Sequence, residues 1–134
     1  SYQNELARLC RELKEHGVEV VCTGHVPRAE VSGQLAMADI HVVPSRWEEP
    51  CALSLLEGMA AGLAVVASRT GGTPEVLGGC GRLFERDSEA GLVEQLTDLV
   101  SDVGERMRLA AMARHRAEAL NWETCWQGFL RGIT

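Results

Sequence analysis

Between Ile40 and Ala67 the sequence switches from a strand period to a helix period and back, which leaves few folds open. Ile40-His41-Val42-Val43 is a short β-branched run and reads as a strand. A polar loop follows, then an amphipathic helical stretch that Gly62 terminates. Leu63 to Ala67 is a second buried strand. Strands that alternate with helices make a parallel α/β sheet, and such sheets bind ligands at the carboxyl ends of their strands.

The rest of the chain repeats this alternation. From about Tyr2 to Glu15 a helix carries Leu6, Leu9, Cys10 and Leu13 on one stripe, and Gly17 ends it. Val18 to Cys22 is mostly β-branched and is predicted to be a strand. Thr23 to Pro27 is a turn with two breakers. A helix follows from about Arg28 to Met37, with Val31, Leu35 and Ala36 inward. After Thr70-Gly71-Gly72-Thr73-Pro74 comes a short helix at Glu75, then a strand from Arg82 to Phe84. Three helices close the chain, over about Ser88 to Ser101, Val103 to Leu120, and onward from an Asn121 cap. No internal repeat or low-complexity segment occurs.

Length and charge narrow the function. A chain of 134 residues holds one domain with a core. The net charge of -6 argues against non-specific nucleic-acid binding and against docking on acidic lipid. No apolar run approaches the roughly 20 residues of a membrane helix. Five cysteines at wide spacings, Cys10, Cys22, Cys51, Cys80 and Cys125, read as free thiols of a reducing cytoplasm rather than a zinc site. The expected location is therefore cytoplasmic.

The candidate site lies where the first strand hands over to the helix. Glu49 stands in the loop before the helix and Glu57 on the helix, with seven residues between them. Helix N-termini favour phosphate because unpaired N–H groups and the helix dipole point the same way. A phosphate there, flanked by acids that accept hydroxyl hydrogen bonds, suits a nucleotide-sugar. The backbone amides of Cys51, Ala52 and Leu53 are the candidate phosphate donors. The glycine-containing loops around Gly24 and Val26, and around Gly71 and Gly72, fall at the same ends of the strands. Glu48 competes with Glu49 as a loop acid, Arg69 is a candidate phosphate contact or a solvated arginine, and His25 is read as a loop histidine. Trp47 is read as packing or anchoring its loop, and Trp122 and Trp126 as core or interdomain contacts. Without a wider pattern, Glu57 alone reads as an ordinary helix glutamate.

The wider pattern is present. Pro44-Ser45, then Glu49-Pro50, then a helix ending in Glu57-Gly58-Met59-Ala60-Ala61-Gly62, resembles the signature of the retaining GT-B glycosyltransferases of family 4, the group 1 glycosyl transferases. The stretch from Val65 to Val76 and Gly81-Arg82-Leu83-Phe84 resemble the family's next blocks. The likeness runs from about Val18 to the C-terminus. It implies an α/β fold: a Rossmann-like parallel sheet of about four strands with flanking helices, the incomplete C-terminal half of a GT-B fold. The whole chain, residues 1–134, would be one partial nucleotide-sugar-binding domain lacking the N-terminal acceptor domain and the start of the donor domain. The implied reaction moves a sugar from a nucleotide-diphosphate sugar to an acceptor hydroxyl with retention, with no metal and no cofactor beyond the donor substrate.

By the resemblance, Glu57 accepts hydrogen bonds from the donor ribose and Glu49 lies near the hydroxyls of the transferred sugar, as a positioning and electrostatic group. Cys51, Ala52 and Leu53 hold the diphosphate, and Gly24 and Val26 belong to the nucleobase loop. The chain departs from the pattern at Cys51-Ala52, where the family has Phe-Gly, and at Gly58, where Ala is commoner. Gly58 costs about 1 kcal/mol of helix propensity, which close helix–sheet packing would offset. The chain alone is expected to be inactive, since the basic residues that neutralise the diphosphate are missing. Its expected partners are the donor, an unknown acceptor, the missing domain and, through an open sheet edge, another copy. The other readings are a non-catalytic nucleotide-sugar-binding or regulatory module, a structural remnant, and a GT-B epimerase.

Overall fold

The computed structural model describes residues 1–132. Its elements are α1 (Tyr2–Glu15), α2 (Arg28–Leu35), β1 (Ile40–Val43), α3 (Leu53–Ala60), β2 (Ala64–Ser68), α4 (Thr73–Leu77), β3 (Arg82–Phe84), α5 (Glu89–Ser101), α6 (Val103–Ala119) and α7 (Trp122–Gly132). The three strands form one parallel sheet in the order β1-β2-β3. Ile40 pairs with Ala64 and Val43 with Ala67; Val66 pairs with Arg82 and Ser68 with Phe84. This is the expected α/β class, a flanked parallel sheet with three strands rather than about four.

All five residues of β2 are buried, as a central parallel strand covered on both faces must be. Its side chains alternate between two cores. Val65 and Ala67 pack with Val43, Leu55, Met59 and Leu77 beneath α3 and α4. Ala64 and Val66 pack with Phe84, Leu99 and Leu109 beneath α5 and α6. Helix α6 serves both sides, giving Leu109 to one core and Ala113 to the other.

Helix α3 ends as its sequence requires. Gly62 takes φ +76, its N–H reaches Met59 O, and the N–H of Leu63 reaches Gly58 O, which closes a Schellman motif. The chain then turns directly into β2. Because β1, β2 and β3 run parallel, their following loops (residues 44–52, 69–72 and 85–88) emerge at one end of the sheet.

Three expectations fail. The Val18 to Cys22 strand does not form: these residues are irregular, with Val18, Val20 and Val21 all exposed. A strand needs a ladder partner, and the sheet among the described residues ends at β1. Helix α2 stops at Leu35, with Ala36 and Met37 in its closing turn and Ala36 exposed rather than inward. Trp47 and Trp122 are 73% and 91% exposed, so the packing reading of Trp47 and the core reading of Trp122 fail, which leaves loop anchoring for the one and an interdomain contact for the other. The stripe on α1 forms as a helix face, but α1 buries no residue.

Candidate functional site

The strand ends bring two loops into backbone contact. The N–H of Gly72 donates to Glu49 O at 3.0 Å. Gly71 sits at φ +47, and a Cβ there would stand 2.1 Å from Glu49 O. A Cβ on Gly72 would stand 2.0 Å from Pro50 O. The two glycines therefore let the loop after β2 lie directly on the loop after β1, in addition to supplying the turn itself. Ser68, at the end of β2, donates its hydroxyl to Ser45 O at 2.6 Å and ties the loop after β1 from below.

Each sequence-predicted residue has a definite place. Glu49 is half-buried, and the Ser45 hydroxyl donates to its carboxylate at 3.3 Å. Ala52 is the N-cap residue of α3, and among the described residues no side chain caps that helix. Its methyl group is in the core with Val43 and Leu55, 3% exposed, so it packs inward. Cys51 and Leu53, on either side, are exposed. The start of α3 thus presents its amides without a side-chain competitor, the arrangement that favours an anion.

Glu57 is exposed on α3, and its carboxylate makes no hydrogen bond or ion pair among the described residues. It lines a groove of about 320 Å³ with Arg28, Val31, Ser32, Leu35, Ala60 and Ala61. That groove joins α3 to α2, and neither Gly24 nor Val26 is among the residues that line it. Gly24 itself, at φ +62, has nothing within 4 Å of a built Cβ, and Val26 is half-buried. A second recess of about 230 Å³ lies at the strand ends, lined in part by Ser45, Arg46, Ser68, Phe84 and Asp87. A larger one, about 480 Å³ along α1 and residues 17–20, contains none of the candidate residues.

The sequence reading names Glu48 and Arg69 without their partners and misses Arg46, Arg86, Asp87 and Glu85. Glu48 accepts from the N–H of Gly71 and from Arg86, the latter at 2.8 Å. Arg46 pairs with Asp87 at 2.6 Å and Arg69 with Glu85 at 2.8 Å. Arg69 is therefore an ion-paired surface arginine here. The missed signal is the run Glu85-Arg86-Asp87 straight after β3, charges placed where a parallel sheet gathers its loops. Thr70, buried at the base of the Gly71 loop, has a hydroxyl without a hydrogen-bond partner among the described residues.

His41 in β1 lies under the site. Its ring packs against Gly58, where a Cβ would stand 2.3 Å from Cδ2. Burial lowers its pKa from the ordinary imidazole value, opposed by the Ser54 carbonyl and the Glu57 charge, and Nε2 has no partner. The close packing expected of Gly58 is present, and the group it accommodates is this ring. Among the described residues no cluster of three or more His, Cys, Asp or Glu is placed to hold a metal ion. No described helix is long and apolar enough to cross a membrane.

A parallel sheet flanked by helices, whose strand-end loops converge beside an uncapped helix, is an α/β domain of the kind that places ligand sites at the carboxyl ends of its strands. Residues 1–102 match the family model described as Glycosyl transferases group 1, and the chain belongs to that family. It is 32% identical to spore coat protein SA of Bacillus subtilis over 97% of this chain and 35% of that protein. It is 34% identical to a sulfoquinovosyl transferase of Arabidopsis thaliana over 79% of this chain and 22% of that protein. The chain thus spans about a third or less of the length of these relatives. Among solved structures, sucrose-phosphate synthase of Thermosynechococcus elongatus superposes with TM-score 0.80 at 26% identity, over 98% of this chain and 34% of that one. The C-terminal domain of a group 1 glycosyl transferase of Francisella tularensis, with TM-score 0.77 at 24% identity over 89% of this chain and 62% of that one, shares the fold. So does HepE of Anabaena, crystallised with UDP, with TM-score 0.82 at 24% identity over 98% of this chain and 36% of that one.

Proposed function

We propose that the chain is the donor-binding part of a retaining glycosyltransferase. The donor is a nucleotide-diphosphate sugar, and the sugar passes to an acceptor hydroxyl with its anomeric configuration kept. The observation that carries this reading is the pair of acids on either side of the uncapped start of α3. Glu57 is an unpaired carboxylate in a groove, suited to accept from the two hydroxyls of a ribose. Glu49 is fixed by Ser45 and by the contact with Gly72, suited to hold a sugar hydroxyl. The amides of Cys51, Ala52 and Leu53 take the diphosphate, and the loop of Gly24 and Val26 takes the base. No metal is required by this donor set. Sulfoquinovosyl transfer and sucrose-phosphate synthesis, named for two of the similar proteins, agree with a transferase of this kind.

The test is thermal unfolding with UDP, GDP and ADP, each alone and as a sugar conjugate. Saturating ligand raises stability by about 2.7 kcal/mol at a hundredfold excess over Kd. One nucleotide should raise Tm, and Glu57→Ala should abolish the shift. No shift with any nucleotide would refute the reading. Binding without turnover, when the remainder of a transferase is supplied, would instead identify a non-catalytic nucleotide-sugar module.

A further inference from the structure

We propose that Glu48, the neighbour of the candidate sugar-binding acid, is a positioning residue that clasps three loops together and so sets where Glu49 stands. Its two carboxylate oxygens have two different partners. Oε2 accepts from the main-chain N–H of Gly71, in the loop after β2. Oε1 accepts from Nη1 of Arg86, in the loop after β3, at 2.8 Å. Glu48 itself belongs to the loop after β1. One side chain therefore joins all three strand-end loops.

The main chain makes this junction consequential. Glu48, Glu49 and Pro50 in succession touch Gly71 or Gly72, through a carboxylate, a carbonyl and a carbonyl. No side chain fits between them, since a Cβ on either glycine would collide with the opposite backbone. A shift of the Gly71 loop is thus passed directly to Glu49 O and to the start of α3. The Arg46–Asp87 ion pair spans the same gap between the loops after β1 and β3 and gives the clasp a second point. An exposed ion pair alone contributes little. A carboxylate that also accepts from a backbone N–H restrains backbone as well as side chain, and charge-assisted bonds of this kind are the stronger ones.

The effect on the donor rests on the glycosyltransferase reading; the clasp does not, so two measurements separate them. The first needs no ligand: hydrogen exchange at the amides of Gly71 and Gly72 in the wild type, Glu48→Ala, Glu48→Gln and Arg86→Gln. Glu48→Ala should speed exchange at Gly71 by about tenfold, as expected for loss of a hydrogen bond to a charged group. Glu48→Gln, which keeps an acceptor for Gly71 but loses the ion pair, should fall between, and Arg86→Gln should match it. Unchanged exchange in Glu48→Ala overturns the clasp. The second is calorimetric affinity for a nucleoside diphosphate and for its sugar conjugate. Glu48→Ala should weaken the conjugate by about tenfold and the nucleoside diphosphate by much less, because only the conjugate reaches Glu49. Equal losses for both, with exchange altered, would reduce Glu48 to general support and overturn its positioning role. If the wild type binds neither, the donor reading fails with it, while the exchange result still decides the clasp.

Discussion

Gly58 and His41 share one volume. Glycine inside a helix costs about 1 kcal/mol relative to alanine. Here it makes room for an imidazole that would otherwise meet a methyl group at 2.3 Å. Overpacking of that kind costs about 1–3 kcal/mol. Gly58→Ala should therefore lower stability by about 1 kcal/mol despite its better propensity, read as a Tm lower by about 4 °C. Gly58→Ala combined with His41→Val should recover the loss and exceed the wild type. A destabilised double variant would show that the ring is not the obstacle. The same histidine makes stability depend on pH. Its folded pKa lies below the ordinary imidazole value of about 6.5, because burial disfavours the charged ring. The unfolded chain therefore binds the proton first as pH falls. This contribution is fully present above pH 6.5 and is lost progressively below it. Urea unfolding at pH 7.5 and 5.5 should show a larger drop for the wild type than for His41→Val. Of these facts the sequence displayed only half. The spacing of Glu49 and Glu57 and the tight packing at Gly58 were legible there. The ring at Gly58 and the partners of Glu48 were not, because Gly71 and Arg86 meet Glu48 only after three parallel strands have aligned.

Helix ends decide much at the scale of elements. Ser88 caps α5 by accepting from the N–H of Gly91, and Asp102 caps α6 by accepting from the N–H of Glu105 at 2.9 Å. Asn121 caps α7 in the same way through Thr124, as its place in the sequence indicated. Two arginines of α6 finish other helices. Arg106 donates to Leu99 O at the end of α5, and Arg116 donates to Val76 O and Glu75 O at the end of α4, both at 2.6 Å. Such end carbonyls lack intrahelical partners, so their donors matter. Asp102→Ala should cost about 1 kcal/mol of unfolding free energy. Arg116→Ala should cost about 1–2 kcal/mol, since it leaves two carbonyls without their charged donor. Denaturant titrations with unchanged m-values would verify both. Of these caps the sequence reading named Asn121 alone, where an amide side chain stands directly before a helical stretch; local signals of composition are less dependable. They misled at residues 18–22, where β-branched composition is real but a strand depends on a neighbour that composition cannot supply.

For the whole molecule, surface area is the informative quantity. A compact chain of 14.6 kDa would expose about 6,900 Å², whereas this one exposes 9468 Å². The excess agrees with an α1 that buries nothing, with exposed Val18, Val20 and Val21, and with a sheet edge open at β1. Open edges of this kind recruit other strands. The 134-residue chain should therefore self-associate with rising concentration, and sedimentation velocity should show it; a monomer at every concentration would disprove the open edge. Catalysis should be absent from it as well. Arg46, Arg69 and Arg86 at the strand ends each sit beside an acid, which offsets the positive charge they offer a departing diphosphate. Sugar transfer well above the buffer rate would contradict that.

The buried strand β2 has one more consequence. Each of its two partners lies a single helix away along the chain, and closing so short a connection costs little entropy. All three clasped loops fall between residues 40 and 88 or directly follow those strands. The working surface of this stretch is thus specified by neighbours in sequence. What precedes it can be exchanged for other scaffolding that covers β1, whereas α5 and α6 must be kept or matched, because Leu99, Leu109 and Ala113 complete the two cores that hold the strands in line.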